Sequence, residues 1–388
     1  VLPAILKPGV SEIRQLELHP SPQPLAVSSG VDGNGNMYMV DIYNSAFYML
    51  PNRELPEVRL DTPGQLSNPI SVVAIGPTRN NVYVLDQNNH CIYQVVGSGL
   101  VVVAGTCGTA STGASDRGDN GPPALARFNA PFLLERVAGA GNENKMLVLD
   151  EDGTRVRLID WSVPTISTLI TAPLNTLFVG ITYNPTNGLY VATLIPNVGS
   201  LNYFVLINAA NATVQTLYSA PEFVNIDQFS PPPTLTLNQY TSISFLGVIE
   251  WESGDTYRFI DDTRIMRVTF NSANYFDATT AHMTTLAGTA SSTYGLLPNI
   301  WDAKFYYTSN LLTNNWAQST FESYNGAQEN FDSDSYAYYY AADYLISLTK
   351  VQFFCIETPT ASYASACASN PALCQPGLFG GSPLVPAL

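Results

Sequence analysis

A short β-like run that ends in an acidic or polar residue keeps returning along this chain, and that recurrence constrains the fold more than any other feature. It occurs six times: Tyr38-Met-Val-Asp41, Tyr83-Val-Leu-Asp86, Leu147-Val-Leu-Asp150, Tyr190-Val-Ala-Thr193, Arg258-Phe-Ile-Asp261 and Tyr340-Ala-Ala-Asp343. Most copies follow a turn rich in Asn, Asp or Gly and precede a further alternating run. The second shows the unit most fully, as Val72 to Ile75, Val82 to Asp86, Ile92 to Val96 and Leu100 to Ala104, separated by PTRN, QNNH and GSG. β-branched and aromatic residues alternating between turn-forming clusters specify short antiparallel strands, here four to a unit. The intervals between markers widen toward the carboxy end, so the later units carry insertions, which a regular solenoid tolerates poorly.

A second repeat lies between units. Val103-Ala-Gly-Thr106 leads through a Gly-rich loop, GDNGPPALARFNAP, and past Ala126-Arg-Phe128; Leu286-Ala-Gly-Thr289 leads likewise to Ala303-Lys-Phe305. A phosphate-gripping loop would need a following helix and a Lys-Ser/Thr ending, and neither is present. With these residues the chain resembles the NHL-repeat β-propellers, whose blades carry a Gly-Asn-x-Tyr-Val-x-Asp type of signature and whose linkers read much like residues 118–131. The match is best at GNMYMVD (35–41), NVYVLD (81–86) and 103–160, fair at 187–193 and 284–305, and weakest over 306–342. The resemblance implies an all-β fold, a six-bladed NHL-like β-propeller over residues 1–356 with long loop insertions, followed by an extended non-globular tail over 357–388. It implies that each linker carries the chain from the outer strand of one blade to the inner strand of the next.

Such a ring must close, because an open edge strand invites aggregation. Ile13 to Leu18 is one candidate for the closing outer strand and Val351 to Ile356 the other. The tail has no β or helical periodicity and is expected to lie along its own propeller or to dock on a neighbouring subunit. The start, VLPAILKPGV, lacks a basic stretch followed by an apolar core and a small-residue cleavage site, and reads as a mature amino terminus.

Composition decides the class of partner. Hydrophobic residues make up 46% of the 388 and charged residues 12%, so polarity comes from Asn, Ser, Thr, Gly, Pro and Tyr, as in secreted β proteins. With 16 basic against 31 acidic residues the formal charge is −15, which repels nucleic acid and anionic lipid. No run of about 18 apolar residues offers a membrane helix. The five cysteines form no C-x-x-C pair. Cys91 and Cys107 flank two β-rich runs joined by Gly97-Ser98-Gly99, and both a cross-strand disulfide and two buried thiols fit that hairpin. Among Cys355, Cys367 and Cys374 at most one intramolecular bond forms; Cys367 with Cys374 is the candidate pair, and the pairing stays open.

Few residues suggest chemistry. Propellers with related repeats include lyases and lactonases that use a channel metal held by several histidines or carboxylates. Here His19 precedes the first unit, His90 sits at a turn of the second and His282 lies near an outer strand, so convergence on an axis is not expected, and no metal or cofactor is assigned. The Asp series 41, 86, 150, 261 and 343 follows the blade, and a strand-end Asp accepts hydrogen bonds from backbone N–H groups of a turn; pointed into a channel, several together would bind a cation. Asp32-Gly-Asn-Gly-Asn36 starts like a calcium loop but has Tyr43 where the acidic twelfth residue belongs, so it reads as an Asx-rich turn. Arg117-Gly-Asp119 spells an adhesion tripeptide inside a connector that favours Gly and Asp anyway. Asn211-Ala-Thr213 is the one acceptor triplet for N-glycosylation with a permitted middle residue.

Two long stretches, 219–240 and 306–342, are rich in aromatics. With Trp301, the second supplies the candidate binding residues Tyr306, Tyr307, Trp316, Phe321, Tyr324 and Phe331. Rings beside Asn, Gln and Asp suit a protein or carbohydrate interface, and equally suit folding back to seal the propeller. The expected role is that of a secreted structural or interaction protein, at the cell surface or outside the cell. It would be a glycosylated and filamentous assembly's subunit, contacting copies of itself or other extracellular proteins through the aromatic stretches and tail. The alternatives are a lyase- or lactonase-type propeller enzyme and a glycan-binding module.

Overall fold

The computed structural model describes residues 11–17, 26–34, 36–42, 44–51, 58–78, 80–196, 201–221, 235–236, 245–261, 264–288, 321–324, 336–342 and 350–357. The first strand, β1 (Ser11–Glu17), is taken up by the last sheet. The next four, β2 (Ala26–Val31), β3 (Met37–Asp41), β4 (Ala46–Leu50) and β5 (Val58–Arg59), form an antiparallel sheet in chain order. The pattern repeats with β6 (Pro69–Ile75), β7 (Asn81–Asp86), β8 (Cys91–Val96) and β9 (Gly99–Ala104). It repeats again with β10 (Leu133–Arg136), β11 (Lys145–Asp150), β12 (Arg155–Asp160) and β13 (Thr165–Thr171), then with β14 (Thr176–Asn184), β15 (Leu189–Pro196), β16 (Leu201–Asn208) and β17 (Thr213–Pro221).

A wider sheet follows. In it β18 (Leu235–Thr236) pairs outside β22 (His282–Gly288), beyond β19 (Phe245–Ser253), β20 (Thr256–Asp261) and β21 (Arg264–Thr269). The last sheet runs β23 (Phe321–Tyr324), β24 (Tyr336–Ala342), β25 (Lys350–Glu357) and finally β1, which pairs antiparallel with β25 from Ser11↔Ile356 to Glu17↔Lys350. The two candidates for a closing strand therefore sit side by side, the amino-terminal one outermost. Part of the stretch expected as an insertion, 306–342, is sheet instead: Phe321 and Tyr324 lie in register with Tyr339 and Tyr336.

The sequence alternation explains how the sheets stack. In β7, Val82 and Val84 pack with Tyr38, Val40 and Phe47 of the preceding sheet, while Tyr83 and Leu85 pack into the cluster of Leu133, Leu147 and Leu149 of the following one. Both faces of a sheet are thus apolar and covered, which is why the second strands read as nearly unbroken hydrophobic runs. β7 is buried from Val82 to Asp86 and β11 from Met146 to Asp150, whereas outer β9 and β13 are partly exposed and β5 is exposed throughout. Each large apolar side chain so buried stabilises by about 1.5–3 kcal/mol.

The first strands touch in succession, β2 with β6, β6 with β10, β10 with β14, β14 with β19, β19 with β23, and β23 with β2. On three of them, β6, β10 and β19, a serine or threonine of the preceding sheet serves the edge away from the second strand. Val72 N donates to Ser28 Oγ at 3.1 Å, Leu134 N to Ser71 Oγ at 3.0 Å and Trp251 N to Thr182 Oγ1 at 3.0 Å. Backbone donors that would be orphaned in a buried seam are thereby satisfied. At one turn the fit is tight: a Cβ on Gly33 would lie 1.7 Å from the Thr78 carbonyl oxygen of the next sheet.

Candidate functional site

Three of the recurrent aspartates, Asp41, Asp86 and Asp150, hold the fold together locally. Asp86, fully buried, accepts from Ser67 N (2.9 Å) and Asn68 N (2.9 Å) at the entry to β6, and from Asn89 N (3.3 Å) and Asn89 Nδ2 (2.7 Å) in the turn after β7. Asp150 repeats the arrangement with Asn129 N at 2.8 Å and Glu151 N at 2.9 Å, and Asp41 accepts from Asn44 N at 3.1 Å and Asn44 Nδ2 at 2.7 Å. One carboxylate thus ties the linker before the first strand to the turn after the second. Asp32 makes the Asx turn, accepting from Asn34 N and Asn36 N at 2.9 Å each, and from Tyr38 Oη at 3.0 Å. Burial and the Asp32 charge push the Tyr38 hydroxyl well above its ordinary range.

The connector 105–132 is organised by one arginine. Arg157 has no exposed side chain, lies over the Phe128 ring at 5.1 Å and donates to the carbonyls of Arg127 and Arg117, at 2.9 Å each, and to Asp119 Oδ1 at 3.0 Å. Asp150 Oδ2 lies 3.4 Å from the same guanidinium. A fork of fixed N–H donors is what such a hub requires, and lysine would not replace it. The adhesion-like triplet is spent in this network. Arg117 pairs with Glu151, and Asp119 accepts from Arg157 and, at 2.6 Å, from Thr168 Oγ1.

Polar groups also meet on the first strands. Arg136 of β10 pairs with Glu250 of β19 at 2.9 Å, reaching past β14, which lies between their sheets. The Glu250 side chain is 5% exposed and that of Arg136 25%. Arg258, opposite Glu250 on β20, is buried too, while Glu135, the residue before Arg136, is buried on the other face of β10. An arginine-bound carboxylate is an occupied acceptor and the arginine does not release a proton, so the pair locks two sheets. A third network joins Asn184, fully buried, to Gly254 O (2.8 Å), Asp255 Oδ1 (3.1 Å) and Tyr257 Oη (2.7 Å), with Tyr275 donating to Asp255. Burial pushes the Tyr257 hydroxyl up to about 12.

His90 sits half-buried at the turn after β7, where burial lowers its pKa, and His282 opens β22, far along the ladder from β19. Among the described residues no three His, Cys, Asp or Glu side chains converge as metal ligands, and no helix is long and apolar enough to cross a membrane. Cys91 and Cys107 form a disulfide, with Cα atoms 5.2 Å apart. Cys107 lies beyond the end of β9, so the bond staples the start of β8 to the connector. Asn211 is exposed at the β16–β17 turn.

His19, Trp301, Tyr306, Tyr307, Trp316, Phe331, Asp343, Cys367 and Cys374 lie outside the described residues, as does the stretch 358–388. Sequence reasoning passed over Arg136, Glu250, Arg157 and Asn184. Arg157 shares the alternation phase of Arg155 in the run Arg155 to Asp160, so nothing in the sequence marked it as buried, and the Arg136–Glu250 pair, 114 residues apart, carried no signal either.

No family model and no curated protein matches this sequence. The structure is similar to a Bacteroides thetaiotaomicron protein of unknown function, with TM-score 0.51 and 9% identity over 90% of this chain and 72% of that one. It is similar to a candidate gluconolactonase at TM-score 0.50 and 9% identity, over 90% of this chain and 93% of that one. A virginiamycin B lyase from Staphylococcus aureus aligns at TM-score 0.46 and 10% identity, over 89% of this chain and 99% of that one. At such identities the likeness is one of fold, that of a β-propeller.

Proposed function

From a propeller fold, we propose that this chain is a secreted propeller of six NHL-like blades that acts as an interaction subunit of an extracellular assembly. Six blades are supported by the succession of first strands that returns from β23 to β2, and closure by the pairing of β1 with β25. The observation that carries the role is the outer strand β9. Val101 and Val102 are 51% and 43% exposed there, Val96 at the end of β8 is 55% exposed, and the Cys91–Cys107 bond anchors the same hairpin. Rigid exposed apolar surface is what partner binding uses. The aromatic stretches 219–240 and 306–342 and the tail 357–388 are the further contact segments this reading assigns, on their sequence. Deleting 357–388 is expected to leave a folded but monomeric propeller in light scattering under native conditions. A truncated chain that assembles like the intact one refutes assembly through the tail.

A second reading is favoured by Arg136 together with the buried charges Glu250 and Arg258. Buried charge near the first strands is where a propeller enzyme of the lactonase or lyase kind would act. Hydrolysis of a lactone panel that survives Arg136→Met and Glu250→Gln would remove this reading, since both residues would contact substrate.

A further inference from the structure

We propose that Asn211 is an N-glycosylation site, carrying an oligosaccharide on the outer hairpin between β16 and β17. The triplet sits at the tip of the turn that follows Asn208 and ends at Thr213, which are partners across the ladder. Ala210, Asn211, Ala212 and Thr213 are all exposed, so a glycan there meets solvent rather than a neighbouring sheet. Thr213 Oγ1 donates to Asn211 Oδ1 at 2.7 Å. That bond engages only the amide oxygen, and among the described residues Nδ2 makes no bond of its own. The turn keeps its shape by other means. Ala210 N donates to Asn208 Oδ1 at 3.0 Å, and Ala212 adopts the left-handed region at φ 53°.

A second Asn-x-Thr triplet, Asn184-Pro-Thr186, provides an internal contrast. Proline bars it from modification, and Asn184 is fully buried with its Nδ2 donating to Gly254, Asp255 and Tyr257. One such triplet is thus spent inside the fold and the other stands clear of it.

The donor is a lipid pyrophosphate-linked oligosaccharide. Nδ2 attacks C1 of the first sugar as the C1–O bond to the pyrophosphate breaks. The lipid pyrophosphate departs with that electron pair, and Nδ2 passes a proton to a base of the transferring enzyme.

The full chain behind a cleavable leader, translated into microsomes beside a glycoprotein of known occupancy, tests this. The expected result is a heavier product whose glycan an amide-cleaving glycosidase removes, leaving Asp in place of Asn211 in the proteolytic peptide. Asn211→Gln and Thr213→Ala are expected to abolish the shift, and Thr213→Ser to retain it. An Asn211 peptide recovered wholly unmodified while the companion glycoprotein is modified overturns the proposal, as does a shift that persists in Asn211→Gln.

Discussion

Replacing Asp86 separates a carboxylate that holds the blade together from one poised to bind a cation. In Asp86→Ala four donors lose their acceptor: Ser67 N, Asn68 N, Asn89 N and Asn89 Nδ2. Ser67 is exposed and water replaces its bond; Asn68 is 5% exposed, so its N–H is stranded. A buried donor left unpaired costs about 1–3 kcal/mol, and the bonds to half-buried Asn89 add about 1 kcal/mol. The sum is about 2–4 kcal/mol, against a total stability on the order of 5–15 kcal/mol. Asp86→Asn keeps the shape but turns one acceptor oxygen into a donor facing other donors, so its loss falls in the same range. Urea unfolding followed by tryptophan fluorescence measures both variants, with calcium or chelator present and absent. A loss below about 0.5 kcal/mol in both, or a loss that appears only with calcium present, refutes the structural reasoning.

The Cys91–Cys107 bond closes a loop with a sequence separation of 16, and opening it should cost about 3 kcal/mol through the entropy regained by the unfolded chain. Cys91→Ser with Cys107→Ser, compared with the parent in the presence and absence of reductant, measures this; a parent insensitive to reductant contradicts it. Burial pushes the Asp150 carboxyl up to about 6 from 3.8, outweighing its bonds to Asn129 and Glu151 and the Arg157 charge. The folded chain then binds that proton more tightly than the unfolded one. The group's contribution is full below about pH 4 and is lost as pH rises through about 6. In Asp150→Asn, the difference in unfolding free energy from the parent should change most between those two values. A difference constant with pH contradicts the assignment.

Much of the second sheet was legible in sequence. The runs starting at Val72, Val82, Ile92 and Leu100 fall inside β6, β7, β8 and β9, because alternation and turn residues act over a few positions. The Asx turn at Asp32 was legible for the same reason. Within 306–342 the run Tyr340 to Asp343 overlaps β24, whereas β23 was not read, because wide spacing between markers looks alike whether it holds loop or strand. The cysteine alternatives stayed open because a hairpin register fixes where a side chain starts, not how the connector beyond β9 returns.

The sequence by itself determined the four strands of the second sheet, the recurring marker strand of each unit and the aspartate that closes most of them. Only the tertiary structure decided which sheets share seams, that Ser28, Ser71 and Thr182 serve the next sheet's backbone, and that Arg136 meets Glu250 past an intervening strand. The reason is physical. Strand formation is set by sterics and burial over neighbouring residues and leaves a period in the chain, whereas a contact between sheets depends on how whole faces dock and leaves no period behind.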